Sequence, residues 1–182
     1  MNKFQTLKAA KALRQGGLLA HQTSTLAGIA ADVRCRKAVQ KAQSFKQRQA
    51  PFLLLADSTR TALKQAVYIS PTLRKLAKKS WPGAVTLVFR AKKQHDAACY
   101  QKGYIAVRVD ADKQTRQLAK AGGGLLLSSS FNRQGQPTLL LHRKQRHRLK
   151  RHLSCVLNQQ HQGSNQASKI FKVTGHRVQQ LR

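Results

Sequence analysis

Apolar positions along the chain alternate between helical spacing and short solid runs. Phe4, Leu7, Ala10 and Leu13 recur at helical spacing over 4–15 and stop at Gly16-Gly17, a usual helix terminator. Leu18 to Ala20 reads as a short strand, followed by the polar turn HQTSTLAG. Residues 35–48 suit a second helix, and Phe52 to Ala56 a buried strand. Asp57 or Ser58 is placed to cap a helix over 59–66, and Pro71 opens another, 72–79, in its favoured first turn. WPGAVTLVFR and YIAVRVD each supply a strand. A helix over 112–121 leads through three glycines to a strand ending in Ser128-Ser129-Ser130-Phe131-Asn132. A basic segment, 140–152, precedes strands at 153–157 and 169–174, and Gln159 to Ala167 reads as a mobile low-complexity loop.

This order predicts a mixed α/β fold: one domain over 1–182, a sheet with flanking helices, no internal repeat and no long linker. A hydrophobic content of 41% supports a real core.

Charge changes the picture. The chain has 35 Lys and Arg against 5 acids, a net charge of +30; Glu is absent, and Gln is abundant where surface Glu is expected. Such a surface repels itself and favours polyanionic partners. Cys35, Cys99 and Cys155 are odd in number and not in metal spacing, which fits a reducing compartment. The N-terminus carries no apolar signal core, and no run approaches the roughly 20 apolar residues of a membrane span. The expectation is a soluble cytoplasmic protein with no membrane partner.

Four strand-end loops offer groups suited to an anionic ligand. The first turn brings Thr23, Ser24 and Thr25; the end of the second helix brings Lys46 and Arg48. Arg108 lies within an apolar strand, where it must reach an edge or meet an anion. Ser128, Ser130 and Asn132 close the set. The five aspartates show no paired-carboxylate arrangement and the seven histidines no zinc spacing; there is no Walker loop and no G-x-G-x-x-G. Cations and hydroxyls around a phosphate-like ligand remain, a site that works by positioning and charge stabilisation, with no protein metal ligand.

Several of these segments resemble the YrdC-like family, the threonylcarbamoyl-AMP synthases of tRNA modification. ALRQGGLLAHQTSTLAGIAAD resembles the family's opening strand and turn, KQR at 46–48 its K-x-R motif, and SWPGAVTLVF its W-P-G-P-x-T strand. IAVRV resembles its A-V-R strand, SSSFN its S-T-S-A-N loop, and ASKIFKV at 167–173 its late P-S-T-I segment. The resemblance implies an α/β fold with a twisted mixed sheet, flanking helices and a concave basic cavity. It also implies condensation of L-threonine, bicarbonate and ATP, with Mg²⁺ helping, into threonylcarbamoyl-adenylate and pyrophosphate. Carried over residue by residue, Thr23 and Thr25 sit near the threonine and nucleotide. Lys46 and Arg48 are the catalytic cations, holding carboxylate and phosphate charge. Arg108, Ser128, Ser130 and Asn132 bind the adenylate.

Departures are local. His21-Gln22 replaces Tyr-Pro, Ser24 an acid, Ala27 an aromatic and Lys172 an aspartate; the second lysine after K-x-R has no counterpart. Phe131 replaces a small residue and is expected to intrude on the pocket. Two functions follow. One is a working nucleotidyltransferase that passes its product to the tRNA-modification machinery. The alternative is a catalytically decayed paralogue acting as an RNA- or ribosome-binding protein. HRKQRHRLKRH, 142–152, would supply a cationic face for tRNA or rRNA through Arg143, Lys144, Arg146, Arg148, Lys150 and Arg151.

Overall fold

The computed structural model describes residues 3–47, 51–133, 152–157 and 163–182. Helix α1 (Lys3–Arg14) leads into β1 (Leu19–His21), and β2 (Gly28–Asp32) returns antiparallel to it. Helix α2 (Arg36–Lys46) ends at Gln47, whose left-handed φ of 53° stops it, and β3 (Leu53–Ala56) follows. Helices α3 (Thr59–Leu63) and α4 (Pro71–Ser80) begin where Ser58 and Ser70 accept the backbone N–H groups of Thr61 and Leu73. Strand β4 (Val85–Arg90), the short β5 (Tyr100–Gln101) and β6 (Tyr104–Val109) precede α5 (Lys113–Ala121), which is capped by Asp112. The chain closes with β7 (Leu125–Ser130), β8 (Cys155–Val156), β9 (Lys169–Thr174) and β10 (Arg177–Gln180).

The described strands form one mixed sheet in the order β10-β9-β4-β6-β3-β7-β2-β1-β8, with β5 beside β6. The pairs β3–β6, β4–β9 and β1–β8 are parallel; the others are antiparallel. This is the expected α/β architecture with a mixed sheet and flanking helices.

Three strands go beyond the expectation. β2 begins at Gly28, the last residue of the expected turn, and runs on through residues given no element, because its Ala-Ala pair gives no β signal. β10 is exposed at all four residues, so it has no apolar alternation to betray it. β5 is only two residues long. The helix expected over 59–66 stops at Leu63, because Ala66 bridges to Ala91 and Val67 N–H donates to Arg90 O, extending the sheet edge. The basic segment lies outside the described residues up to 151, as do residues 159–162 of the expected loop; Gly163 to Ala167 carry no regular structure.

One sheet face is divided in two, and that division makes the site. Toward one end, Leu19, Ala30 and Leu126 are packed by Ala9 and Leu13 of α1 and Leu118 and Ala119 of α5. The side chains at the other end of the same face are not covered by these helices. The opposite face carries the main core, where Ala38, Val39, Ala42 and Phe45 of α2 pack with Ile29, Leu54, Val107 and Leu127.

Candidate functional site

A cavity of about 310 Å³ lies over the uncovered end. The sheet registers explain its floor. Gly28 faces Ser130 across β2–β7, Leu53 sits between Ser128 and Ala106, and Ile170 of β9 is the partner of Thr86 of β4. Side chains two residues apart share a face, so Ser128 and Ser130, Ala106 and Arg108, Leu53, Gly28, Thr86 and Ile170 line one surface drawn from six strands. A volume of this size is at the small end of small-molecule sites.

The first turn forms a wall. Thr23 Oγ1 donates to Leu26 O at 2.8 Å and accepts from Thr25 N–H at 3.1 Å, and the two threonine hydroxyls are 2.9 Å apart. Ser164 and Asn165 N–H donate to Ser24 O and Thr25 O, which ties the late loop to this turn. Gly163 permits that approach: a Cβ there would lie 2.3 Å from Thr25 O and 2.5 Å from Thr23 O.

Arg108 meets its anion inside the protein. Its Nη2 lies 2.8 Å from Asp110 Oδ2, and its Nη1 donates to Thr25 Oγ1 at 2.7 Å. The Asp110 contact is a close ion pair without hydrogen-bond alignment: among the described residues, neither Oδ2 nor Arg108 Nε meets a hydrogen-bond partner. Asp110 Oδ1 accepts the N–H groups of Ser24 and Asp112, both at 2.9 Å. One carboxylate thus fixes the turn, the start of α5 and the arginine. Burial lowers the Arg108 pKa; Asp110 opposes this, and the Arg182 charge adds to it.

Lys46 is 2% exposed. Its Nζ donates to Ser130 O at 2.9 Å, to Asn132 Oδ1 at 2.6 Å and to Asn132 O at 2.5 Å. Ser130 Oγ in turn donates to Asn132 Oδ1 at 2.6 Å. The lysine at the end of α2 therefore grips the serine loop and joins the cavity through it. Phe131 does not intrude on the pocket, contrary to expectation. It is buried and stacks on Phe45 with ring centroids 5.6 Å apart, because it alternates to the opposite sheet face from Ser130 and meets α2 there.

Of the expected site residues, Thr23, Thr25, Arg108, Ser128 and Ser130 line the one cavity. Lys46 and Asn132 adjoin it through hydrogen bonds at Ser130. Arg48, Arg143, Lys144, Arg146, Arg148, Lys150 and Arg151 lie outside the described residues.

Sequence reasoning missed four contributors. Thr86 and Ser168 line the cavity with hydroxyls 2.9 Å apart, and Arg182 lines it while donating from Nε to Ser168 O at 3.1 Å. His21 is fully buried beside this floor: its Nε2 would lie 3.6 Å from a Cβ at Gly28, and among the described residues neither ring nitrogen meets a hydrogen-bond partner. Burial lowers its pKa to about 4 against the pull of Asp110. Arg108, an Arg within an apolar strand, was legible; Arg182, in an exposed polar run, had no comparable signal.

A mixed α/β sheet with a hydroxyl- and arginine-lined cavity at one end of one face defines the class. The Sua5/YciO/YrdC family model, described as "Telomere recombination", matches residues 11–182, and the chain belongs to that family. Curated relatives named threonylcarbamoyl-AMP synthase include one from Coxiella burnetii, 31% identical over 72% of this chain and 72% of its own length. Another, from Stenotrophomonas maltophilia, is 31% identical over 92% of this chain and 94% of its own. The solved P. abyssi Sua5 complexed with L-threonine has the same fold, with a TM-score of 0.87 at 22% identity over the whole of this chain. This chain spans about half of that one, 54% of its length.

Proposed function

We propose that the chain is a threonylcarbamoyl-AMP synthase, a nucleotidyltransferase condensing L-threonine, bicarbonate and ATP into threonylcarbamoyl-adenylate and pyrophosphate for tRNA modification. The observation that carries this is the convergence of Thr23 and Thr25, Arg108, and Ser128 and Ser130 on one cavity from three separate stretches of chain. The relatives' names give the reaction, and the crystallised Sua5 complex gives L-threonine as a ligand of the same fold.

The roles follow from the groups. Arg108 and Arg182 are fixed cations on the cavity wall and hold phosphate oxygens by charge-assisted hydrogen bonds. The Ser128, Ser130, Thr23 and Thr25 hydroxyls orient the adenylate and the threonine. Lys46 and Arg48 supply the charge that gathers the carboxylate and the phosphates, with Lys46 acting where it holds Ser130 and Asn132. Catalysis is positioning and charge stabilisation by preorganised groups. The described lining includes no acidic side chain, and Asp110 is occupied by Arg108 and two backbone donors. These residues do not fit a resident Mg²⁺, so the ion enters as the counterion of the ATP phosphates. The chain acts as one domain over 1–182 in the cytoplasm; among the described residues, no helix is long and apolar enough to cross a membrane.

The net charge of +30 favours a second reading, an RNA- or ribosome-binding paralogue that uses Arg143 to Arg151. Threonine- and bicarbonate-dependent release of pyrophosphate from ATP separates the two.

A further inference from the structure

Away from the cavity, the loop before α4 holds Tyr68 out in solvent, 71% exposed. An aromatic ring so exposed gains nothing for the fold, while its neighbour Val67 pins the loop through Arg90 O. Two depressions meet at this ring. One, of about 630 Å³, is lined by Tyr68, Ile69, Pro71, Arg74, Lys75 and Lys78. The other, of about 220 Å³, includes Tyr68, Arg90 and Tyr104. Beyond it, Lys172 Nζ lies 4.4 Å above the Tyr104 ring. Arg74 and Lys78 are four residues apart, about 6 Å along the axis, so they and Lys75 share one side of α4. Among the described residues, no acid lines either depression.

We propose that this face binds single-stranded RNA, with a base stacked on Tyr68 and the backbone phosphates held by Arg74, Lys75 and Lys78. Single-strand sites elsewhere combine the same two elements, a cationic track for phosphates and exposed rings for bases. A duplex would use the cations and leave the ring idle, because its bases are already stacked. An acidic peptide would match the charge and likewise make no specific use of two rings set among cations. The surface uses none of the 143–151 cations, and it operates whether or not the cavity turns over.

The test uses the full chain and a labelled single-stranded oligoadenylate of about 12 nucleotides, within the usual single-strand site size. Tyr68→Ala should weaken binding by about fivefold to a hundredfold, as the loss of one stacked base does, with the salt slope unchanged. Replacing Arg74, Lys75 and Lys78 with Gln should flatten the slope of log affinity against log salt by roughly 2, at about 0.7 per phosphate. Tyr68→Trp should keep the affinity and show quenched emission on binding, a local readout that other cations on the chain do not disturb. An abasic strand of equal length should bind the parent no better than the oligoadenylate binds Tyr68→Ala. Equal affinity of parent and Tyr68→Ala for oligoadenylate, or no quenching in Tyr68→Trp, would overturn the proposal. Tighter, Tyr68-dependent binding of polyglutamate would overturn it in favour of an acidic protein partner.

Discussion

Lys46 Nζ lies 2.6 Å from Asn132 Oδ1 and 2.9 Å from Ser130 O, although 84 or more residues separate the lysine from its partners in sequence. The end of α2 and the end of β7 are thereby locked together, and the lysine places Ser130 in the cavity wall. A compact ammonium suits this nest of oxygens; the broad guanidinium fork of arginine does not. Lys46→Met should leave several buried acceptors unpaired, destabilise the protein by about 2–5 kcal/mol and lower ATP turnover by about 10²–10³. Lys46→Arg should recover little of either. Denaturant titration and steady-state kinetics read both effects, and a fully active Lys46→Met would remove the lysine from the site.

Arg108 and Asp110 form a buried pair at 2.8 Å. Breaking such a pair from one side leaves an uncompensated charge, typically at a cost of about 3–5 kcal/mol. Asp110→Asn should therefore destabilise strongly and loosen the turn at Ser24, which Asp110 also holds. Arg108→Ala should weaken ATP at least about tenfold, roughly 1.4 kcal/mol. Calorimetry with unchanged ATP affinity would leave Arg108 a structural role only.

His21 gives the protein an acid limb. Its folded pKa of about 4 lies below its ordinary value of 6.5, so as pH falls the unfolded chain takes up the proton first. Stability is then full above about pH 6.5 and declines down to about pH 4, by ~3 kcal/mol at about 1.36 kcal/mol per pH unit. His21→Phe removes that linkage. It should flatten this part of the stability curve, leaving the smaller contribution of His95, which burial also shifts downward. An unchanged acid limb in pH-dependent melting would contradict this role.

Phe131 and Phe45 stack nearly parallel, with 4° between the ring planes. Phe131→Ala should cost about 3–5 kcal/mol as a large-to-small core change. Its coupling to Phe45→Ala in a double-mutant cycle should be about 0.5–1.5 kcal/mol beyond burial. Gain of activity in Phe131→Ala with unchanged stability would return the ring to the pocket.

The cavity was legible where polar groups interrupt apolar strands. Arg108 within IAVRV and the hydroxyls ending LLLSSS had no reason to be there unless something at the strand end used them. Phe131 was misread because its inward or outward direction depends on strand alternation, and the pairing of Gly28 with Ser130 that fixes it lies in a strand the sequence pattern hid. Arg182 reaches the cavity because the β9–β10 hairpin returns it beside Ile170, a tertiary fact with no local signature. The three aspartates at 32, 110 and 112 gave no catalytic pattern, and each serves as an anchor: Asp32 for Arg34, Asp110 for Arg108 and Ser24, and Asp112 for the start of α5.

The central claim, adenylate formation in the cavity bounded by Thr23, Arg108 and Ser130, is tested most directly by isotope exchange between pyrophosphate and ATP. The protein should catalyse exchange only when L-threonine and bicarbonate are both present, and Arg108→Ala and Lys46→Met should abolish most of it. Exchange that is absent from the folded parent protein, or that proceeds without threonine, would contradict the account.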